Sequence, residues 1–229
     1  MKTIKVRGLV IKEYSIAESD KRLVLLCKEH GKITVYARGA RKPNSKFLAV
    51  SQLFSYADYV LAQGSNFYSL TQADLIENFY NIRNDLDKLY TAYLITEVCE
   101  TTVLENNPCD DLLLLALKSL KRLTKNTPPD FVKAVFLFRF FLYYGIKPTL
   151  EYCAVCGIYI TNPKYFCCDG VLCDNHISSN QYSLDESLNL ALKQIYSSNK
   201  LELSNDIIKR LINIAMLIWD SNFEHGLII

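Results

Sequence analysis

Residues 22–38 read Arg-Leu-Val-Leu-Leu-Cys-Lys-Glu-His-Gly-Lys-Ile-Thr-Val-Tyr-Ala-Arg. Arg22 to Cys27 is an apolar run of strand length, and Glu29-His30-Gly31 is a turn with a glycine available for positive φ. After the turn, Ile33, Val35 and Ala37 alternate with Lys32, Thr34, Tyr36 and Arg38, the period of a half-buried strand. The same period extends upstream, where Ile4, Val6 and Val10 alternate with Thr3, Lys5 and Arg7. Downstream, Gly39-Ala40-Arg41-Lys42-Pro43-Asn44-Ser45-Lys46 is a basic loop punctuated by Gly and Pro. A fourth strand is expected from Leu53 to Ala62, a turn at Gln63-Gly64-Ser65-Asn66 and a fifth strand from Phe67 to Thr71. Five short strands in one segment suit a small closed barrel, of which the OB-fold is the common five-stranded form.

From about residue 84 the period changes. Leu86, Leu89, Tyr90, Tyr93, Leu94 and Val98 recur at helical spacing, with Asn84 or Asp85 placed to cap the start. A second helix is expected from Asp110 to Lys125, with acids at its start and Lys121, Arg122 and Lys125 at its end, as the helix dipole favours. Pro128-Pro129-Asp130 opens a third, through Phe131, Val135, Phe138 and Leu142 to Gly145; it is apolar nearly all round and belongs in a core. Two further helices fit Leu184–Ser198 and Ser204–Phe223. The expected fold is α+β: an OB-fold barrel over residues 1–80, then a helical domain over 81–229 with an inserted knot at about 149–180.

Half of the 229 residues are hydrophobic and 22% are charged, which excludes a disordered chain. No apolar run approaches the roughly 20 residues of a membrane span. The start, Met1-Lys2-Thr3-Ile4-Lys5-Val6, has no long apolar stretch or small-residue cleavage site, so a cytoplasmic location is expected. The net charge is +2, but residues 1–50 hold 12 Lys/Arg against 4 Asp/Glu and residues 51–229 hold 14 against 20. A basic first segment on an otherwise acidic protein is the footprint of a polyanion-binding module, although a sheet's solvated face has the same composition. If the strands alternate as read, Lys32, Tyr36 and Arg38 share an outer face, Lys5 and Arg7 share another, and Arg41, Lys42 and Lys46 extend the field through the loop. The cations would contact phosphate, and Tyr36 would stack on a base or pack across strands. Tyr14, Tyr56, Tyr59 and Tyr68 read as barrel core.

Five of the eight cysteines lie between Cys153 and Cys173. Cys153-Ala-Val-Cys156, sixteen residues beginning with Gly157, and Cys173-Asp-Asn-His176 spell C-x2-C-x16-C-x2-H. Each C-x2 pair lets two ligands grip one ion from a tight turn, and three thiolates with one imidazole make a closed tetrahedral zinc site. Cys167 or Cys168 stands close enough in sequence to replace His176. A filled site leaves no position for water, so the expected zinc, one per chain, is structural. A deaminase would need His-x-Glu and Pro-Cys-x-x-Cys, neither of which is present. Phosphate-cradling, nucleophile-elbow and dinucleotide loops are also missing, and no catalytic residue is assigned.

Several segments together resemble the RecO family of DNA repair and recombination mediators. They are Gly8-Leu9-Val10, Glu18-Ser19-Asp20-Lys21, Glu29-His30-Gly31-Lys32, Arg38-Gly39-Ala40-Arg41-Lys42-Pro43 and Leu70-Thr71-Gln72-Ala73-Asp74-Leu75. Gly145-Ile146-Lys147-Pro148, leading into the first cysteine pair, and Gly170-Val171-Leu172-Cys173 complete the set. The zinc-binding members usually end the motif with Cys-x-x-Cys, where this chain has His176, and carry a Gly pair where this chain has Asp169-Gly170. The resemblance implies a non-enzymatic protein that binds single- and double-stranded DNA and anneals complementary strands. It further implies help in loading recombinase onto DNA coated by single-stranded-DNA-binding protein, in concert with the mediator RecR. Such proteins are recruited by the acidic, apolar-ended tail of single-stranded-DNA-binding protein. Lys118, Lys121 and Arg122 on the second helix and Lys133 and Arg139 on the third would rim a groove for it, or merely solvate helix surfaces. An RNA-binding OB protein and a zinc-stabilised adaptor without nucleic acid are the alternatives, separable by competition between DNA and RNA.

Overall fold

The pattern around Gly31 folds as a hairpin in the computed structural model. β2 (Asp20–Cys27) and β3 (Gly31–Ala37) run antiparallel, with Leu25 opposite Ile33 and Leu23 opposite Val35. The structure describes residues 2–16, 18–64, 67–177, 181–197 and 201–227, so Ser65 and Asn66 of the expected turn and Ser198 of the expected fourth helix lie outside the described residues. β1 (Thr3–Ile16) is long enough to serve two neighbours: Gly8 to Ile16 pair with β2, and Thr3 to Leu9 pair with β4 (Tyr56–Gln63). A register shift between Val10 and Lys12 bends it between the two. β5 (Tyr68–Glu77) pairs antiparallel with β4 and parallel with β3, closing a five-stranded barrel of order β1-β2-β3-β5-β4.

Two strands differ from their expected limits. The fourth begins at Tyr56 because Phe54 adopts a φ of 69°. There the Phe54 N–H donates to the Val10 carbonyl, and Ser55 accepts from the Val10 N–H. The fifth runs on to Glu77 as partner to the start of β4, although its outward side chains are solvated and its alternation is faint. The tyrosine expectation needs correction as well: of Tyr14, Tyr56, Tyr59 and Tyr68 only Tyr59 is buried, its hydroxyl donating to the Val50 carbonyl at 2.8 Å. Tyr68 is partly buried and packs against the barrel core, whereas Tyr14 and Tyr56 are partly exposed and stand outside that core.

The barrel interior is filled by Val6, Val10, Leu23, Leu25, Ile33, Val35, Tyr59 and Leu61, and the turns of residues 38–55 add Ala40, Phe47 and Val50. From Leu23 to Cys27 β2 is buried on both faces, which accounts for its unbroken apolar run. Its outer face is covered by α1 (Leu86–Thr102) and α2 (Asp110–Leu123). Asp85 caps α1 by accepting from the Lys88 N–H at 3.1 Å. The barrel with these two helices forms one compact unit, Met1–Thr127.

The other unit is Pro128–Ile228. α3 (Pro129–Tyr144) starts with proline at its first turn and ends at Gly145. Phe136, Phe138, Phe140 and Phe141 are fully buried, packed with α4 (Glu186–Ser197) and α5 (Asn205–Asn222) through contacts such as Phe138–Tyr196 and Phe140–Trp219. These rings are therefore core rather than groove. Between α3 and α4 three short strands, β6 (Tyr165–Cys167), β7 (Gly170–Leu172) and β8 (Tyr182–Ser183), form a sheet of order β7-β6-β8. Among the described residues, no helix is long and apolar enough to cross a membrane.

Candidate nucleic-acid face and candidate metal centre

The seven cations expected to face DNA fall into three groups once the register is known. Lys5 and Arg7 line an open groove together with Lys28, His30, Asp58 and Asp74. Arg7 is held there by a two-pronged pair with Asp58, at 2.6 and 2.8 Å. That pair raises the guanidinium further above its ordinary range and holds Asp58 below the usual carboxylate range. Lys32 and Lys46 have structural partners: the Lys32 ammonium donates to the Glu100 carbonyl of α1 at 2.7 Å, and Lys46 donates to the Thr71 carbonyl and lies over the Phe47 ring. Arg38, Arg41 and Lys42 are exposed on the turn after β3. Two of them, Arg38 and Lys42, act on Asp20.

Asp20 lies in the Glu18-Ser19-Asp20-Lys21 segment that carries the family resemblance, but the sequence gives it no site role; in the structure it organises this end of the barrel. Its carboxylate accepts from the Gly39 N–H at 2.8 Å and from the Ser19 hydroxyl at 3.1 Å. The Gly39 bond foremost, then Ser19 and the two cations, keep it below the usual carboxylate range against the effect of burial. Tyr36 stands next to it on the outer face of β3 and meets Phe67 edge-on, with ring centroids 5.4 Å apart. Arg22, opposite Tyr36 on β2, lies 4.3 Å over the ring of Tyr14. Phe67, Arg22 and Asp20 are not legible as site residues in the sequence because their proximity to Tyr36 depends on strand register.

The residues considered for a partner tail are divided between the two units. On α2, Lys118 is exposed, Lys121 pairs with Glu77 at 2.8 Å and Arg122 is partly exposed. On α3, Lys133 pairs with Asp130 one turn earlier, and Arg139 is half-buried among the phenylalanines.

The cysteine knot is built from backbone upward. The Gly157 N–H donates to the Cys153 carbonyl and the Cys153 N–H to the Ile158 carbonyl, a tight knuckle in which Gly157 takes a φ of 70°. Thr149 clamps this loop to β7 by accepting from the Val171 N–H and donating to the Asp169 carbonyl. The clamp needs glycine at 170: φ is 135°, and a Cβ would collide with the Thr149 carbonyl oxygen. A one-turn helix at Asp174–His176 then folds His176 back toward Cys173.

As a result Cys153, Cys156, Cys173 and His176 place one ligand atom each within 4.8 Å of one another. The Cys156–Cys173 sulfurs are 3.9 Å apart, and His176 Nδ1 is 3.7 Å from the Cys153 sulfur and 3.2 Å from that of Cys173. Tetrahedral zinc with Zn–S of about 2.3 Å and Zn–N of about 2.0 Å has ligand–ligand edges of roughly 3.5–3.8 Å, so the donor set fits such an ion in size and chemistry. Cys167 and Cys168, at the β6–β7 turn, are not in the group. Burial opposes ionisation of Cys153, but the N–H groups of Cys156, Cys173 and Val155 bring its thiol down to about 5, favouring the thiolate that a metal requires.

Two family models match nearly the whole chain: recombination protein O N terminal over residues 1–79 and recombination protein O C terminal over residues 83–225. Among curated relatives, the DNA repair protein RecO of Acetivibrio thermocellus is 37% identical over 72% of this chain and 66% of its own length. The DNA repair proteins RecO of Bacillus pumilus and Bacillus subtilis are 34% and 35% identical, over 79% and 66% of this chain and 71% and 60% of their own lengths. The chain thus spans about two thirds of the length of these relatives.

Proposed function

The chain belongs to the recombination protein O family, and from that premise we propose that it is a DNA-repair mediator without catalytic chemistry of its own. It binds single- and double-stranded DNA through the barrel, anneals complementary strands and helps to load recombinase onto DNA coated by single-stranded-DNA-binding protein, acting with RecR in the cytoplasm at the nucleoid. The observation that carries this reading is the exposed cationic turn Arg38-Gly39-Ala40-Arg41-Lys42 beside the aromatic pair on a closed five-stranded barrel. Cations there neutralise phosphate and release counterions, and exposed rings offer a face to any base. Lys5, Arg7, Lys32 and Lys46 add to the field while also holding the barrel together.

Cys153, Cys156, Cys173 and His176 would hold one zinc ion, whose chemistry is that of a tetrahedral cross-link. Its effect is on folding: it pins the knuckle to the end of β7 in a segment with little apolar core of its own. For the acidic tail of single-stranded-DNA-binding protein, the proposed contacts are Lys118, Lys121 and Arg122 on α2 in the first unit and Lys133 and Arg139 on α3 in the second, each surface taken by itself and both apart from the DNA face. A tail peptide titrated into protein saturated with oligonucleotide tests that placement: simultaneous binding supports it, and strict competition contradicts it.

The DNA reading is tested by replacing Arg38, Arg41 and Lys42 together with alanine. Affinity should fall for all sequences about equally, and the salt dependence should flatten by roughly 0.7 in log K against log salt for each single-strand phosphate that is no longer neutralised. Unchanged affinity in a variant with native circular dichroism would contradict it. DNA and RNA oligonucleotides in competition exclude the RNA reading if DNA wins.

A further inference from the structure

The cross-strand register lays a row of side chains over the outside of the barrel. Tyr14 is opposite Arg22, Arg22 is opposite Tyr36, and Tyr36 is paired with Ser69 of β5. Opposed residues project from the same face, so aromatic and cationic groups alternate along the row. At its end the Tyr36–Phe67 pair, inclined at 70°, borders a cavity of about 310 Å³. Ile16 and Ala37 give the cavity an apolar wall, and Asp20 and Arg38 give it one carboxylate and one guanidinium. Phe67 leaves 43% of its surface in water although it stands at an apolar wall.

Asp20 gives the cavity a chemical preference. Both of its hydrogen bonds among the described residues go to Oδ1, from Gly39 and Ser19. Oδ2 therefore has acceptor capacity for a further donor. A ligand matching this lining is flat and aromatic, carries an N–H donor on its edge and bears an anionic group for the guanidinium.

We propose that this cavity receives a single unpaired nucleobase bearing an exocyclic amine, stacked on Phe67 beside Tyr36, with the amine donating to Asp20 and its phosphate on Arg38. The inference rests on the DNA-binding reading of the barrel and adds two properties to it. The first is discrimination of strand state, because a base in a duplex is stacked and paired and cannot enter. The second is a base preference. Cytosine presents its N4 amine to a carboxylate, whereas thymine has a carbonyl in that position and meets Asp20 with like polarity.

Fluorescence anisotropy at neutral pH with oligo-dC, oligo-dT of equal length and a blunt mixed-sequence duplex tests it. Two pyrimidine homopolymers are compared so that stacking within the strand differs little. The unmodified protein should bind oligo-dC at least about fivefold tighter than oligo-dT, the lower end of the discrimination that base-edge contacts provide. Phe67→Ala should weaken oligo-dC binding about 5- to 100-fold, the range of one base–aromatic stack, and change duplex binding less than about twofold. Asp20→Asn retains a carbonyl oxygen for the Gly39 N–H but turns a donor toward the base, so the preference should move to oligo-dT. That reversal is one that a purely structural role for Asp20 does not produce, and it stands as the test if Phe67→Ala fails to fold. Equal affinity for oligo-dC and oligo-dT, or equal losses on single strands and duplex, overturns the pocket while leaving DNA binding in place. Failure of the unmodified protein to bind any of the three overturns the DNA reading and the pocket with it.

Discussion

At the residue scale, His176 decides whether the knot is a four-ligand site. Its Nδ1 lies within 3.7 Å of two cysteine sulfurs, whereas Cys168 is outside the group. His176→Ala should lose most of the bound zinc in elemental analysis and Cys168→Ala should keep about one equivalent; the reverse pattern would reassign the fourth ligand. Asp185 supports a second expectation. The Ser187 hydroxyl, the Leu188 N–H and Arg210 hold its carboxyl well below the usual carboxylate range. A depressed folded pKa contributes stability above the unfolded value of about 3.9 and loses it as pH falls through the folded one. Asp185→Asn should therefore be less stable than the unmodified chain at neutral pH, and the gap in thermal midpoint should close as the pH drops below about 4. The C-x2-C and C-x2-H pairs were legible in the sequence because each grips its ion from one turn. The roles of Arg7 and Lys32 were not, because their partners lie 51 and 68 residues away.

At the element scale, the helices follow their local signals. Asp85 and Ser204 cap α1 and α5, and proline opens α3. The small β6–β8 sheet left no readable trace, since strands of three, three and two residues are too short to show a period. β5 outruns its expected end for a related reason: beyond Thr71 both faces are largely solvated, and only pairing with β4 holds it extended. The Thr149–Gly170 clamp is the element that joins knuckle to sheet. Gly170→Ala should destabilise the Pro128–Ile228 unit by about 1–3 kcal/mol, through strain at positive φ and the clash with the Thr149 oxygen, as measured by denaturant unfolding. A change within about 0.5 kcal/mol, the ordinary range of a surface substitution, would mean that the loop moves without cost.

At the scale of the whole molecule, the five-strand pattern pointed to a closed barrel, which the topology bears out, and the charge asymmetry pointed to a polyanion partner, which suits a family of DNA repair proteins. The sequence could not reveal how the cations are distributed between holding the barrel together and facing solvent. Nor could it reveal that α1 and α2 belong to the barrel's compact unit, because their packing on β2 joins segments far apart in the chain. Mediation requires that the protein reach single-stranded DNA already covered by another protein. The direct measurement is retention of zinc-replete protein on immobilised single-stranded DNA, bare and coated with single-stranded-DNA-binding protein, over a series of salt concentrations. Retention on both supports, falling steeply with salt on bare DNA and persisting on the coated strand, is the predicted result; no retention on either, or retention on bare DNA that ignores salt, would contradict a cationic DNA-binding mediator.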